Sequence, residues 1–507
     1  MTAVNSPRAG TGRLSRGLGG RAHRVVFGAN ADAAIDLELP HITVVDEAHL
    51  VMLAERRLLD AGAAARLLTE IHRLRAAGFA PLRGRPAPRG VYLLYEDHLI
   101  EALGMRVGGV LHTGRSRNDL KATTHHLRLR DLAIAALGAL LRLQALLLSR
   151  ARRFRTVVMP VYSQFQPATP GSYGHYLLGV GESLDRDVLG LRQACAGLAQ
   201  CPLGAASGGG TDVAIDPART AALLGFTVPV GHAGYAVASR DTAVRLLSAC
   251  VLAGLTLSRL ATDLQLWSTP EFGLVGFPDS LVGSSSAMPQ KRNPFLLEHI
   301  KGGAGALIGA WTAAVANTKN VPFGNSVEVT TEAVASVWPA IDRFTELTEL
   351  AISVAAGARP CQDAMLRGAD EGFTVATAVA NRLMAQGVPF RAAHRVVGSL
   401  VTELITEGVR APSEVDIDAT GERLGVLLRS AEVSTRVELT GADLDPVAVL
   451  AATDFGGGPG PRSFAAAHDR LAAAWRDHAR AVAAWSDRLA AAETERNDAV
   501  RRWGGAP

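Results

Sequence analysis

The chain has 507 residues, 48% of them hydrophobic and 20% charged, with a formal net charge of +4. That length carries several sizeable cores, and that charge fraction is ordinary for a folded globular protein. Arg8, Arg13, Arg16, Arg21 and Arg24 all precede the first acid, Asp32, so the positive excess lies in the leading segment and a nucleic-acid footprint is not supported.

Residues 1–30, rich in Gly, Ser and Arg, read as a disordered basic tail. The four cysteines, Cys195, Cys201, Cys250 and Cys361, have no metal-ligand spacing and are too few for a disulfide scaffold, which fits reduced thiols in the cytoplasm. The uncharged runs 156–181 and 302–318 mix Pro, Gly, Ser, Thr, Gln or Asn into their apolar residues, so no membrane span is expected. No cluster of His and Cys calls for a metal, and no cofactor is expected.

Strand signals are scarce, while Ala, Leu and Arg recur at three- and four-residue spacing, which predicts an all-α protein. Asp46–Ala61 is an amphipathic helix with Leu50, Leu53, Leu58 and Leu59 on or near one face. The breaker-rich segment 83–90 follows, then a short helix, Glu96–Leu103, closed by Gly104. In Leu111–Leu120, LHTGRSRNDL, two arginines, two hydroxyls, an amide and an acid crowd into one turn. No helix face needs that density; the turn either binds an anion or is an exposed cap.

From Lys121 to Phe154 the sequence is a long helix apolar on nearly all sides, which belongs in the middle of a bundle. Met159–Pro170, MPVYSQFQPATP, reads as a turn, and Tyr176–Ala199 and Arg240–Trp267 as helices joined by the Gly-rich loop Cys201–Asp216. In Leu281–Pro294, LVGSSSAMPQKRNP, Asn293 is placed to cap a helix that Pro294 begins. A small-residue loop feeding a helix N-terminus presents backbone N–H groups, and Lys291 adds a full charge, so the segment suits a carboxylate. The plainer reading is a solvated Ser-rich loop before a capped helix. That helix runs to Thr318, with Glu298 one turn inside. After the breaker 456–461 the chain ends in an Ala-rich helix striped with Phe464, Leu471, Trp475, Val482 and Leu489.

Two of these segments carry a resemblance. LVGSSSAMPQKRNP resembles the signature loop of the fumarase/aspartase superfamily, and HTGRSRND resembles the corresponding motif of argininosuccinate lyases. The resemblance implies a fumarase/aspartase-type fold of three domains, at 31–118, 119–362 and 363–507, whose long central bundle assembles into a tetrameric helix core. It implies a homotetramer with each active site built from three subunits, acting on a small dicarboxylate. Aligned on Met288, Pro289, Lys291 and Asn293, the catalytic base falls on Ser285. Ser284 stands where the pattern has glycine, which implies a stiffer loop. Thr113, Ser116, Arg117 and Asn118 fall where relatives hold substrate, and Ser239-Arg240-Asp241 makes Arg240 a candidate substrate contact, the alternative being an arginine at an ordinary helix start.

The departures are as informative. In the segment 159–170, Ser163 replaces a threonine and keeps its hydroxyl, whereas Gln164 replaces a histidine, and an amide carries no proton near neutral pH. Glu298 falls on the acid that partners that histidine in relatives. In Lys319–Glu332, KNVPFGNSVEVTTE, the Tyr, Lys and Gln that grip the arginine half of argininosuccinate become Asn325, Val327 and Thr330. The implied activity is a carbon–nitrogen lyase that reversibly eliminates fumarate from an N-substituted aspartate. The substrate is either argininosuccinate or, as the changed segment 319–332 favours, a related compound with a different amine half. Ser285 and Lys291 act with Ser163, or a water, delivering the proton to the leaving nitrogen, or else the leaving amine is of a kind that needs less help. The alternative is a catalytically impaired relative with a structural or regulatory role, for which Gln164 is the evidence.

Overall fold

A helix apolar on nearly all sides is stable only among other helices, and Arg117–Arg153 packs against Tyr173–Ala194, Val337–Gly357, Pro461–Arg502 and Asp32–Glu55. Asp241–Trp267 and Phe295–Thr318 complete the bundle on the far side of Tyr173–Ala194 and Val337–Gly357. This arrangement comes from a computed structural model, which describes residues 17–28, 31–433 and 435–504. The central core is a continuous packing of Leu137, Leu140, Leu184, Leu246, Leu257 and Phe344 with their neighbours. Tyr176 donates its hydroxyl to Asp263 at 2.8 Å, tying two of the helices across the bundle.

A second core joins Ile35, Leu50, Leu67, Ile71 and Tyr95 to Leu203, Leu223 and Phe226 of the Gly-rich connection and its short helix. A third, smaller core gathers Leu383, Val396, Leu400, Leu424 and Leu428. The final helix, grouped by sequence with that C-terminal unit, instead runs from Pro461 to Arg502 along the central bundle. Trp475 Nε1 donates to the Leu141 carbonyl at 2.9 Å. At the far end, Arg496 Nε donates to the buried carboxylate of Glu47 at 3.2 Å, and Ala499 and Val500 enter the second core.

Local details differ from the sequence reading for identifiable reasons. The first long helix starts at Asp32 and passes through Pro40 to Glu55. It ends there because Asp60 caps a new helix, accepting from the N–H groups of Gly62 and Ala63 at 2.9 and 3.1 Å. Of the leading segment expected to be disordered, residues 1–16 and 29–30 lie outside the described residues, and Gly20–Phe27 is helical, with His23 Nε2 at 2.8 Å from the Ala87 carbonyl. Short antiparallel pairs interrupt the helices, among them a hairpin of Val158–Ser163 with Gln166–Ser172. Two helices, Arg117–Arg153 and Asp241–Trp267, are apolar and long enough to span a membrane, but 56% and 44% of their apolar windows are buried within the fold.

Leu471 is fully buried where the final helix meets the central core. Leu471→Ala is expected to lower the unfolding free energy by about 2–5 kcal/mol, read as a reduced midpoint in urea.

Candidate active site

Three turns carry the residues singled out above. The first is the entrance to the long central helix. Gly114 adopts φ +69, and a Cβ there would lie 2.6 Å from Ile215 Cγ2, so the turn closes only with glycine. Arg115 points inward, where its side chain and that of Asp46 are both fully buried and paired at 2.5 Å. Tyr95 donates to the same carboxylate at 2.8 Å. Asp119, also buried, accepts from Ser116 N–H at 2.9 Å, Gly204 N–H at 3.1 Å and Ala206 N–H at 2.8 Å. The helix entrance and the Gly-rich loop are thereby locked together.

The capping reading of this turn is met. Ser116 is the N-cap, its hydroxyl accepting from Asn118 N–H at 3.3 Å, with Asp119 completing a capping box. Thr113 donates its hydroxyl to the Val110 carbonyl at 2.8 Å. The capping leaves Arg117 exposed and Asn118 half-buried at the positive end of the helix dipole, and among the described residues Arg117 is in no ion pair. Burial, aided by Arg115 and Arg117, pushes His112 down to about 4, so it is neutral at pH 7.

The second turn is the hairpin tip. Ser163 pairs with Gln166, leaving Gln164 and Phe165 as the two loop residues, at φ 52 and 61. Positive φ at both positions is the type I′ geometry, which usually calls on Asn or Gly. A glutamine and a phenylalanine held there mark a strained tip of the kind that clusters at functional sites. Ser163, Gln164 and Phe165 are all exposed.

The third turn is the signature loop, a hairpin closed by Gly283 pairing with Asn293 and Ser284 with Arg292. Asn293 is therefore not the helix cap. Its amide donates across the hairpin to the Ser284 carbonyl at 3.4 Å, and the helix begins at Phe295 after Pro294. Ser284 lies in extended backbone, which any residue adopts, so its presence at the glycine position does not strain the loop. Within the loop, Ser285 Oγ accepts from the N–H groups of Met288 at 3.1 Å and Ala287 at 3.4 Å. Lys291 is exposed on the same hairpin. Arg292 is engaged with Asp279 and with the Phe277 carbonyl at 2.9 Å. Glu298, exposed in the first turn of the helix, accepts from Gln265 Nε2 at 2.9 Å.

Arg240 is held differently from the other cations. It is 5% exposed, donates Nη1 to the Ser239 and Val237 carbonyls at 2.6 and 3.3 Å, and encloses Nε and Nη2 with no partner. Burial pushes its pKa down to about 10. Close to it, and not singled out from sequence, are Lys121 and His125, one and two turns beyond Arg117 on the long helix. Their four-residue spacing from Arg117 was the available signal. Lys121 Nζ donates to Thr331 Oγ1 at 2.6 Å. Thr331 belongs to a π-helical turn, Glu328–Glu332, in which Thr330 is buried, while Asn325 and Val327 just before it are exposed.

The structure thus brings together Thr113, Ser116, Arg117 and Asn118 at one helix entrance, with Arg240 nearby. It also brings together Ser285, Met288, Lys291, Asn293 and Glu298 around one hairpin. Ser163 and Gln164 stand on a third element, and among the described residues no hydrogen bond or ion pair links these three groups. Asp46→Ala, which strands the buried Arg115 charge, is expected to cost about 3–5 kcal/mol, seen as a lowered denaturation midpoint in urea.

Residues 89–309 match the family described as lyase, and residues 373–425 match the C-terminal family of argininosuccinate lyase. The argininosuccinate lyase of Halobacterium salinarum is 36% identical over 90% of this chain and 90% of its own. That of Acidothermus cellulolyticus is 34% identical over 94% of this chain and 100% of its own. Among solved structures, an EDDS lyase variant with bound fumarate superposes with a TM-score of 0.84 at 27% identity, covering 97% of each chain. A class II fumarase from Schistosoma mansoni, at 14% identity and a TM-score of 0.66, shares the fold. Identity of this level, sustained over nearly the whole length of both chains and joined to the HTGRSRND turn and the serine loop, shows that this chain belongs to the argininosuccinate lyase family of the fumarase/aspartase superfamily.

Proposed function

We propose that this carbon–nitrogen lyase releases fumarate from an N-substituted aspartate whose amine half is not arginine. The observation that carries the reading is the environment of Ser285. A serine hydroxyl is a poor base until its alkoxide is stabilised, and Ser285 Oγ already accepts two backbone N–H groups. Lys291 and Asn293 share its hairpin and supply the charge and the amide that steady a carboxylate as it becomes a dianion. Such preorganised donors are worth about 3–4 kcal/mol each.

In the forward direction Ser285 removes the proton beside one carboxylate, the electron pair forms the double bond of fumarate, and the carbon–nitrogen bond breaks. The departing nitrogen takes a proton. Gln164 cannot supply it, so the adjacent Ser163 hydroxyl, or a water held there, delivers it. Arg117 and Asn118, with the Thr113 and Ser116 turn behind them, hold the second carboxylate, and Met288, Arg240 and Glu298 complete the binding set. Glu298, paired with Gln265 within the chain, is the acid that faces Gln164 in the assembled site.

On this reading the site is assembled between subunits of a homotetramer, in keeping with three turns that no hydrogen bond or ion pair links among the described residues. The Phe295–Thr318 helix supports this, since it buries Leu297, Ile300, Ala304 and Leu307 on one side and exposes Ile308, Ala313 and small residues on the other. Leu252 and Leu255 are exposed on the neighbouring helix. An apolar helix face of that kind is a packing surface for another copy. Cytoplasmic residence goes with this reading, and all four cysteines are free. The relatives that share the fold at 27% identity are EDDS lyases, which fits an amine half other than arginine.

Fumarate release or consumption across a panel of amines, followed by ultraviolet absorbance, tests the proposal. Ser285→Ala is expected to lower kcat by about 10²–10⁴-fold; undiminished activity would remove the base assignment, and inactivity of the parent protein with every amine would favour the structural or regulatory reading. Gln164→His alone is expected to leave argininosuccinate turnover unchanged. Turnover should rise only when Asn325→Tyr, Val327→Lys and Thr330→Gln are added, and a gain from the single change would show that these three positions do not set specificity.

A further inference from the structure

Lys121 joins the two parts of the molecule that sequence analysis assigned to the two halves of the substrate. It lies one turn past Arg117 on the same helix face, and its ammonium reaches Thr331 in the segment 319–332. An ammonium has three donors, and Thr331, a neutral acceptor, occupies one. Among the described residues Lys121 is in no ion pair. Glu38 and Glu332 lie close enough to favour its charge, while burial and the nearby Arg240 oppose it. Arg240 keeps Nε and Nη2 without partners while nine-tenths buried, and His125, held neutral by burial, encloses an unpartnered Nδ1. Lys121 and Arg240, neither in an ion pair among the described residues, therefore stand close together beside the π-helical turn, a geometry frequent at functional sites.

We infer that Lys121 is the specificity-determining cation for the amine half, binding a carboxylate carried by that half, so that the released amine is an amino acid. The inference rests on the lyase reading. It also accounts for Val327, which on the resemblance stands where relatives carry a lysine: the cation missing at that position arrives from the adjoining helix.

The test is calorimetric binding to the full-length protein carrying Ser285→Ala, which holds ligands without turning them over. Two ligands of equal length are compared, N-(2-carboxyethyl)aspartate and N-propylaspartate. The carboxylate ligand is expected to bind roughly 10- to 100-fold more tightly. Adding Lys121→Met should erase that preference while leaving succinate affinity unchanged, and Lys121→Arg should restore part of it; Lys121→Gln replaces the Met variant if that one fails to fold. Equal binding of the two ligands, or a preference that survives loss of Lys121, overturns the inference and leaves the lyase reading intact. If succinate binds but neither N-substituted aspartate does, the lyase reading falls and the inference with it.

Discussion

A buried carboxylate satisfied by backbone dipoles governs the site. Asp119 is fully buried and spreads its charge over N–H groups from two segments, the entrance of the long helix and the Gly-rich loop. Removing that carboxylate from water costs free energy unless several donors reach it, so the entrance turn has few alternative conformations. Arg115 and Asp46 impose the same demand from the opposite side. The result is an exposed Arg117 and a half-buried Asn118 fixed in place before any ligand arrives, and donors that need no reorganisation are the ones that stabilise developing charge most.

The serine hairpin is built on the opposite principle. It is held by two residue pairs and a few exposed hydrogen bonds, with Arg292 anchored to Asp279 at its base. On the proposed reading, a rigid binding turn and a lightly tethered base-bearing hairpin suit an enzyme that admits a dicarboxylate and then covers it. The division also separates the labours of substitution. Under the same proposal, proton abstraction and dianion stabilisation belong to the fumarate half, and the residues assigned to them, Ser285, Lys291, Asn293, Arg117 and Asn118, are all present. The altered positions, Gln164, Asn325, Val327 and Thr330, are on that reading the ones assigned to the leaving nitrogen and what is attached to it.

Much of this was legible in the residues, and what was not has physical causes. The long buried helix was evident because an apolar surface without a polar side has one stable setting, inside a bundle. The dense polar turn at 112–118 was evident because so many hydrogen-bonding groups have no reason to sit together otherwise. The capping role of Asn293 was read wrongly because local preference lost to cross-strand pairing, which sequence proximity does not reveal. The hairpin around Gln164 was hidden because its tip uses residues that normally avoid positive φ. The contact that Lys121 makes was hidden as well, since its partner Thr331 lies 210 residues away and only the four-residue spacing from Arg117 was local.

On the proposed reading, that last contact would let a family exchange substrates without exchanging its reaction. Binding energy directed at the transition state of elimination has to stay with the dicarboxylate, because charge develops there. The amine half needs only to be recognised, and recognition tolerates relocation: a cation presented by one element can be replaced by a cation from another, provided that both reach the same space. Val327 on the π-helical segment and Lys121 on the bundle helix are placed for such an exchange. A lysine anchored on the long helix is also better fixed than one on a connecting segment, because the backbone beneath it is held by the same packing that holds Arg117. Selection among amines would then follow the bundle itself, with the segment 319–332 shaping the space around a charge that position 327 does not carry.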